Sequence, residues 1–489
     1  MQDGRQLRRA VQGEVGKSSG SGIKPSSALD SRLTAALDSR SKRGMLRSLD
    51  SVPPPTTLSS SLSYPSPPFL PSPSSPSKSE PPLVDFSSND YLSFSSHLTL
   101  RTNLLRALTS PSFPLYGPPS SRLLDGNTPL HLSLESRFAT FFRAPAALLF
   151  NSGFDANAGL WACLPGERDW VVFDELVHAS MHDGMRASRV PAAKRKAFRH
   201  NDVNGLREVL EQILRDDERV EKGDVSVWIG VESLYSMDGD LAPLKDMVNL
   251  VDALLPEGNG HFVVDEAHSV GLYGPSGRGL VCALGLEEKI AVRVHTCGKA
   301  MACSGAAVLT SPLLRSYLTN YARPLIYSTT LTHVSLAMVS ESLGMLERGE
   351  GEQSAARTHT LARLFISSLT SLLPPPPTTS SPRPSPVSLP PHLLPTLYPP
   401  SLTSPPPPHP PTSPIIPLIT STPRPLAAFL RSHGFLVRPI TYPTVPRGME
   451  RVRVCLHAAN TEEEVRALAE WVGEWARKER DAEEGKAKL

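Results

Sequence analysis

His261-Phe-Val-Val-Asp265-Glu-Ala-His268-Ser-Val-Gly271 is an apolar run that ends in a carboxylate, with a histidine three residues further on. A short apolar segment bounded by polar residues and glycine reads as a buried strand. In a parallel sheet, ligand sites gather at the carboxyl ends of the strands. A carboxylate placed there suits a buried cationic ring nitrogen, and His268 would lie close enough to touch the same ring. Alone, the Asp-x-x-His spacing is weak, because an aspartate capping a helix beside a packed histidine gives the same pattern.

About thirty residues on, Val294-His-Thr296-Cys-Gly-Lys299-Ala-Met-Ala-Cys-Ser304-Gly-Ala-Ala307 ends another apolar segment in a lysine among small residues. A nucleophilic lysine needs a partly dry setting to lose its proton. The small neighbours admit a bulky group, and the Thr296 hydroxyl is suited to a phosphate. Most lone lysines are solvated surface; the spacing to Asp265 makes this one different.

Working upstream, other strand ends deliver polar groups too. Phe150-Asn-Ser152-Gly153-Phe154-Asp-Ala-Asn157 sets a glycine turn between a strand and a helix, a geometry suited to a phosphate at a helix N-terminus. Phe173-Asp174-Glu-Leu-Val-His178-Ala-Ser180 puts a histidine just past a strand, where it either stacks on a ring or packs in the core. Val231-Glu232-Ser-Leu-Tyr-Ser236-Met-Asp238-Gly239-Asp240 ends a further strand in a hydroxyl and a tight turn. Convergence of such groups on one phosphate-bearing aromatic ligand explains them better than coincidence.

The wider pattern alternates strand and helix. Ala146–Phe150, Trp170–Phe173, Val225–Val231, Phe262–Val264 and Ala306–Leu309 read as strands, and Leu206, Val209, Leu210, Ile213 and Leu214 follow helical spacing between two of them. That order predicts an α/β fold with a mostly parallel sheet covered by helices. Near the C-terminus, Thr461 with Glu464 forms a capping box before Val465, Leu468 and Val472, predicting a helix that closes a smaller α+β domain.

Two stretches break this pattern. Residues 1–82 contain Pro53–Pro55 and the serine- and proline-rich Ser63–Pro82, and read as a poorly folded extension. Residues 374–412 hold 18 prolines in 39 positions, a density that excludes helix and sheet interior. This tract reads as an insertion looping out of the small domain, with polyproline recognition by a partner as the alternative. The expected divisions are 1–82 extension, 83–130 N-terminal arm, 131–330 large domain, 331–480 small domain with the insertion, and 481–489 tail.

Composition narrows the classes. In 489 residues the formal net charge is only +2, so no broad field exists for nucleic acid or an acidic membrane. Five scattered cysteines form no Cys-x-x-Cys pair, which argues against a disulfide framework or a zinc site and predicts a reducing compartment without a bound metal. No apolar run is long enough to span a bilayer, and no apolar segment of a secretory signal follows the N-terminal charges.

The ordered set of motifs resembles the α-oxoamine synthases, fold-type I pyridoxal-phosphate enzymes. It covers roughly residues 83–372 and 413–476 and runs Phe86-Ser-Ser-Asn-Asp-Tyr-Leu92, Ser121-Arg-Leu-Leu-Asp-Gly-Asn127, His131-x-x-Leu-Glu135, then the Gly153, Ser236, Asp265 and Lys299 segments, and last Pro443-Thr-Val-Pro446. The resemblance implies a large domain built on a seven-stranded sheet and a smaller C-terminal domain. It implies that Lys299 carries pyridoxal 5'-phosphate as a Schiff base, that Asp265 pairs with the pyridinium nitrogen, and that His178 stacks on the ring. Ser236 and His268 would contact the phenolic oxygen. Thr296 with the Gly153–Phe154 backbone would bind phosphate, joined by Ser328 or Thr329 from a second subunit of a homodimer. Asn89, Thr444 and Arg453 match substrate-contacting positions, and Arg453 suits a carboxylate fork.

The implied reaction joins an amino acid to an acyl-CoA thioester with loss of carbon dioxide. The run Ser304-Gly-Ala-Ala-Val308 is similar to that of family members joining alanine to a pimeloyl thioester; use of glycine or serine with another acyl group is the alternative. An aminotransferase of the same fold, or a decayed scaffold displaying the proline tracts, are competing readings. Where the family carries glycine after Asn-Asp-Tyr-Leu, this chain has Ser93; the family's acyl-contacting arginine does not transfer by motif, and Arg47, in the 1–82 extension, is only nominated for it. Finally, Ala487-Lys-Leu489 is a close variant of the Ser-Lys-Leu peroxisomal address, so a peroxisomal import receptor is an expected partner.

Overall fold

The computed structural model describes residues 27–43, 45–46, 83–114, 117–118, 120–373, 385–394 and 412–487. Contacts divide the chain into two compact units, Met1–Pro54 and Pro55–Leu489. In the first, Ser27–Lys42 is a 16-residue helix, with Asp30 in its first turn and Arg40 and Lys42 in its last, signs that complement the helix dipole. Its composition of alanine, leucine and arginine favours helix locally, a signal submerged in the low complexity around it. Arg47 and the C-terminal Lys488-Leu489 lie outside the described residues.

In the second unit, β1 (Val84–Asp85) pairs in parallel with β10 (Phe435–Leu436). Seven strands form the main sheet: β2 (Ala146–Phe150), β3 (Trp170–Asp174), β4 (Arg195–Phe198), β5 (Val227–Glu232), β6 (Gly260–Asp265), β7 (Ile290–Thr296) and β8 (Ala306–Thr310). Their order is β2-β8-β7-β6-β5-β3-β4, parallel throughout except that β8 is antiparallel to both its neighbours. Because β8 is reversed between β2 and β7, those two run the same way. The carboxyl ends of β2, β3, β5, β6 and β7 therefore lie along one edge of the sheet.

Helices cover both faces, and β5 shows how. Val227, Ile229 and Val231 pack with Leu206, Leu210, Met247 and Val251 from helices Val203–Asp216 and Leu244–Leu254. Trp228 faces the other way, toward Trp161, Met181 and Met185 of helices Gly153–Cys163 and Ala179–Ala187. Gly230 shares that second face; a Cβ there would meet Trp161 Cζ2 at 2.7 Å, so a bare backbone is what lets Trp161 seat against the sheet.

A three-stranded antiparallel sheet, β11-β12-β9, builds the smaller C-terminal part from β9 (Ile415–Ile419), β11 (Arg438–Ile440) and β12 (Arg451–Cys455). Helices Glu350–Leu372, Pro423–Ser432 and Glu462–Ala487 supply its core, with Phe365, Leu430, Val465, Leu468 and Val472 buried together. Thr461 and Glu464 cap the last helix reciprocally, at 3.1 Å and 2.9 Å.

The proline-rich tract departs from expectation. Residues 385–394 return to the fold: Val387 and Leu389 join the small-domain core, and Ser388 exchanges both backbone hydrogen bonds with Ile419 of β9. The alternation Val387-Ser-Leu389 buries one face while Pro386 and Pro390 sit where no ladder bond is asked of them, which proline tolerates at a sheet edge. The remainder of the tract lies outside the described residues, apart from Thr412, whose carbonyl accepts from Tyr273 Oη at 3.0 Å.

Candidate active site

Each of the five aligned strand ends turns its last residues toward one region. Beyond β6, the Asp265 carboxylate accepts from Ala267 N (2.9 Å) and from Asn157 Nδ2 (2.7 Å), the asparagine reaching over from helix Gly153–Cys163. Asn157 Nδ2 also lies 3.2 Å from Ser180 Oγ, which in turn is 2.8 Å from His178 Nδ1. The Ser180 backbone amide donates to the same Nδ1, turning the His178 ring by its own helix start. Asp265 and His178 are thus connected by two buried side chains, Asn157 and Ser180.

Beyond β7, Lys299 Nζ sits 2.8 Å from His268 Nε2, and His268 Nδ1 is 2.8 Å from Tyr91 Oη. Burial, aided by the nearby Lys299 charge, holds the His268 imidazole well below its ordinary range, so it is neutral at pH 7. Burial also lowers the Lys299 amine, although Asp265 and Glu232 oppose the shift. A lysine lowered in this way is the form that condenses with a carbonyl.

Glu232 ends β5 directly opposite Asp265 in the sheet register and is itself buried. Burial and the Asp265 charge push its carboxyl well above the usual carboxylate range. Sequence reading passed over Glu232, Asn157, Ser180 and Tyr91 as contributors. All four stand inside quoted motifs, but nothing in one sequence says that their side chains point inward.

Beyond β2, a Cβ on Gly153 would meet Thr296 Oγ1 at 2.3 Å, so the glycine brings the helix start and the threonine hydroxyl together. The Phe154 ring meets His178 edge-on at 6.5 Å between centroids. Arg453, on β12, donates weakly to Ser236 O (3.3 Å), Ser87 O (3.3 Å) and Asn89 Oδ1 (3.4 Å), and its buried Nε has no partner in the described structure. Asn89 Oδ1 in turn accepts from Tyr91 Oη (3.2 Å), which links Arg453 to the Lys299–His268 pair. Gly153, Thr296, Ser236, Asn89, His178, His268, Asp265, Lys299 and Arg453 are thus brought to one edge of the sheet.

Thr444 is different: it is exposed in the loop between β11 and β12, its amide bonded to Thr441 O at 3.0 Å. Ser328 is half-buried and Thr329 exposed; the Thr329 carbonyl accepts from Asn151 Nδ2 of the same chain at 2.7 Å. Ser93 adopts φ 57°, in the left-handed region that favours glycine, and its Oγ accepts from Ala459 N at 2.9 Å. Its hydroxyl thereby ties the N-terminal arm to the small domain.

The class I and II aminotransferase family model matches residues 81–472. A relative named 8-amino-7-oxononanoate synthase, from Emericella nidulans, is 44% identical over 407 residues, covering 83% of this chain and 92% of its own. The chain belongs to this family, in its α-oxoamine synthase branch. An "Aminoacyl transferase sphA" of Aspergillus fumigatus is 36% identical over 405 residues, covering 82% and 83%. Among solved structures, a serine palmitoyltransferase from S. paucimobilis superposes with a TM-score of 0.66 at 23% identity, over 81% of this chain and 88% of that one. The 8-amino-7-oxononanoate synthase of Francisella tularensis gives 0.60 at 23%, over 81% and 99%. These last two share the fold-type I architecture.

The chain is accordingly a pyridoxal-phosphate-dependent acyltransferase. Its own residues fit that cofactor: a bare Gly153 backbone beside a hydroxyl, a lysine lowered by burial, and a carboxylate fixed by Asn157 and Ala267. Among the described residues no group of histidine, cysteine and acidic side chains is arranged to hold a metal, and no helix is long and apolar enough to cross a membrane.

Proposed function

We propose that this α-oxoamine synthase condenses L-alanine with pimeloyl-CoA, releasing CoA and carbon dioxide and forming 8-amino-7-oxononanoate, a step of biotin biosynthesis. The observation that carries the reading is the 44% identity to a synthase so named, along nearly all of that protein's length. The run Ser304-Gly-Ala-Ala-Val308 after the lysine supports it.

Pyridoxal phosphate supplies the electron sink that makes the amino acid's Cα–H acidic. Lys299 would anchor the cofactor, and its amine is the group that would take the Cα proton. Asp265, held by Asn157 and Ala267 N, would pair with the cofactor's ring nitrogen and keep it protonated. His178 would cover the ring, and neutral His268 with Ser236 would address its oxygen. Thr296 and the Gly153–Phe154 amides would hold the phosphate. Arg453, with its unpartnered Nε, orients the substrate carboxylate beside Asn89; Thr444 is given a substrate contact on the family motif alone. Once the C–C bond forms and CoA departs, the product is a β-keto acid, which loses carbon dioxide readily.

Product analysis with each of L-alanine, glycine and L-serine against pimeloyl-CoA and palmitoyl-CoA tests the assignment. Turnover confined to alanine with the pimeloyl thioester supports it; preference for another pair overturns it. The named aminoacyl transferase at 36% identity favours such a second reading, another α-oxoamine synthase with a different acyl donor.

The active unit in this proposal is a homodimer in which Ser328 or Thr329 reaches the partner's phosphate. Exposed Leu124 and Tyr327 support it, on two loops joined by the Thr330 N–Ser120 O bond. Light scattering on the purified protein decides between monomer and dimer. The compartment proposed is the peroxisome, reached through an import receptor that reads Ala487-Lys-Leu489. Imaging a fluorescent fusion with a free against a blocked C-terminus tests it.

A further inference from the structure

His200 lies outside every role assigned above, on the turn that follows β4. Its Nδ1 is 3.0 Å and 3.1 Å from the two oxygens of Asp174, and its Nε2 is 2.8 Å from Asp240 Oδ2. Asp174 ends β3 with its side chain fully buried, and it opens the loop that carries His178, where its Oδ1 accepts from Leu176 N at 2.9 Å. Asp240 closes the turn that carries Ser236, where its carbonyl accepts from Tyr235 N at 3.0 Å. One imidazole therefore joins two segments that reach the cofactor from neighbouring strands.

We propose that His200, bridging Asp174 and Asp240, is a positioning residue that holds the His178 loop and the Ser236 turn in mutual register at the pyridoxal-phosphate site.

A neutral imidazole offers one N–H, so it satisfies one carboxylate and turns a lone pair toward the other; two carboxylates require both nitrogens to carry protons. Burial works against that charge, but the hydrogen bonds from Asp174 and Asp240 outweigh it and push the imidazole up to about 10. The groups facing it are few. Asn201 Nδ2 donates to Asp240 Oδ2 at 2.7 Å, and Asn201 N to Asp174 Oδ2 at 2.7 Å. The Tyr235 ring meets the imidazole edge-on at 4.4 Å, Glu175 accepts from the His200 backbone amide at 3.2 Å, and His392 acts on Asp240 through its charge.

From the opposite side, the small domain grips the same turn. Arg451 Nη1 donates to Met237 O at 2.9 Å and pairs with Asp238, while His392 Nε2 lies 3.1 Å from Asp238 O. The Ser236 turn is thereby held between the small domain and the His200 bridge, and removing the bridge leaves it fixed on one side alone.

The inference rests on the reading of Lys299 as the cofactor's anchor, not on the proposed substrates. Its test is the equilibrium dissociation constant of pyridoxal phosphate, by absorbance titration, for the full chain and for His200→Gln. Glutamine reaches only one carboxylate as a donor, so the constant is expected to rise about 10-fold, the loss of one charge-assisted hydrogen bond. A constant within about twofold of the parent, even with a lowered melting temperature, makes the role merely structural and overturns the proposal. Failure of the parent itself to bind would instead overturn the anchor reading. Neutron diffraction from crystals of the parent holoenzyme at pD 8 is independent of whether the variant folds. Deuterons on both ring nitrogens of His200 are expected, and a single deuteron refutes the bridge.

Discussion

Asn157 donates to the carboxylate of Asp265 at 2.7 Å, and the same amide nitrogen reaches Ser180 Oγ at 3.2 Å. The aspartate is therefore oriented from a helix that starts at a different strand end. Replacing Asn157 by alanine leaves a buried charged group short of a donor, which costs about 1.5–3 kcal/mol. A fall in cofactor affinity of about 10- to 100-fold is expected, read by absorbance titration, with secondary structure by circular dichroism unchanged.

Lys299→Ala removes both the anchor and the proton acceptor. General-base contributions of about 10²–10⁴-fold set the least loss expected. Single-turnover assays with saturating cofactor should show condensation falling at least that far, while the variant keeps the parent's thermal midpoint. Near-parental rates would sink the assignment of Lys299.

His131 is fully buried between Thr128 Oγ1 (2.9 Å) and Thr330 Oγ1 (3.0 Å), and burial, aided by the Arg122 charge, lowers it to about 4. A histidine kept neutral by the fold contributes stability that is complete above its unfolded value near 6.5 and declines as pH falls toward 4. Urea midpoints measured between pH 7 and 4 should drop, and His131→Gln should flatten that slope. An unchanged slope in the variant would remove His131 as its source.

Val387 offers a test of the returning proline segment. Its side chain is wholly buried in the small-domain core, so Val387→Asp places a charge there without a partner, and a loss above about 3 kcal/mol is expected in urea unfolding. A surface insertion would tolerate the change with no measurable loss.

The sheet and its ligand edge were legible because β2, β3, β5, β6 and β8 are nearly continuous apolar runs, the mark of strands buried on both faces. β4 was not: Arg195-Lys-Ala-Phe198 buries only Phe198 and lies at the sheet edge, where packing asks little of composition. β7 was masked by Arg293 and His295, both buried; His295 is paired with Glu266 at 3.0 Å, and polar residues in a strand core hide its pattern. In the site, residues at strand ends announced themselves through motif spacing. Asn157 and Glu232 did not, since their meaning depends on a helix facing a strand and on the register of two strands 33 positions apart in sequence. The expectation for residues 374–412 failed over 385–394 because proline content was weighed and the Val387/Leu389 alternation was not.

The strand β9 now has no donor left to offer on its outer side. Ile419 N is taken by Ser388 O, Ile415 N by Ser413 Oγ at 3.1 Å, and Pro417 between them has no N–H. An open edge is a template on which another copy can grow a ladder. With the Ser388 backbone and the Ser413 hydroxyl this chain closes that template, and residues 385–394 cover the end of the edge at Ile419. Excising residues 385–394 would leave Ile419 N–H unpaired beside a newly exposed apolar core, and a protein that stays in solution with them would precipitate without them.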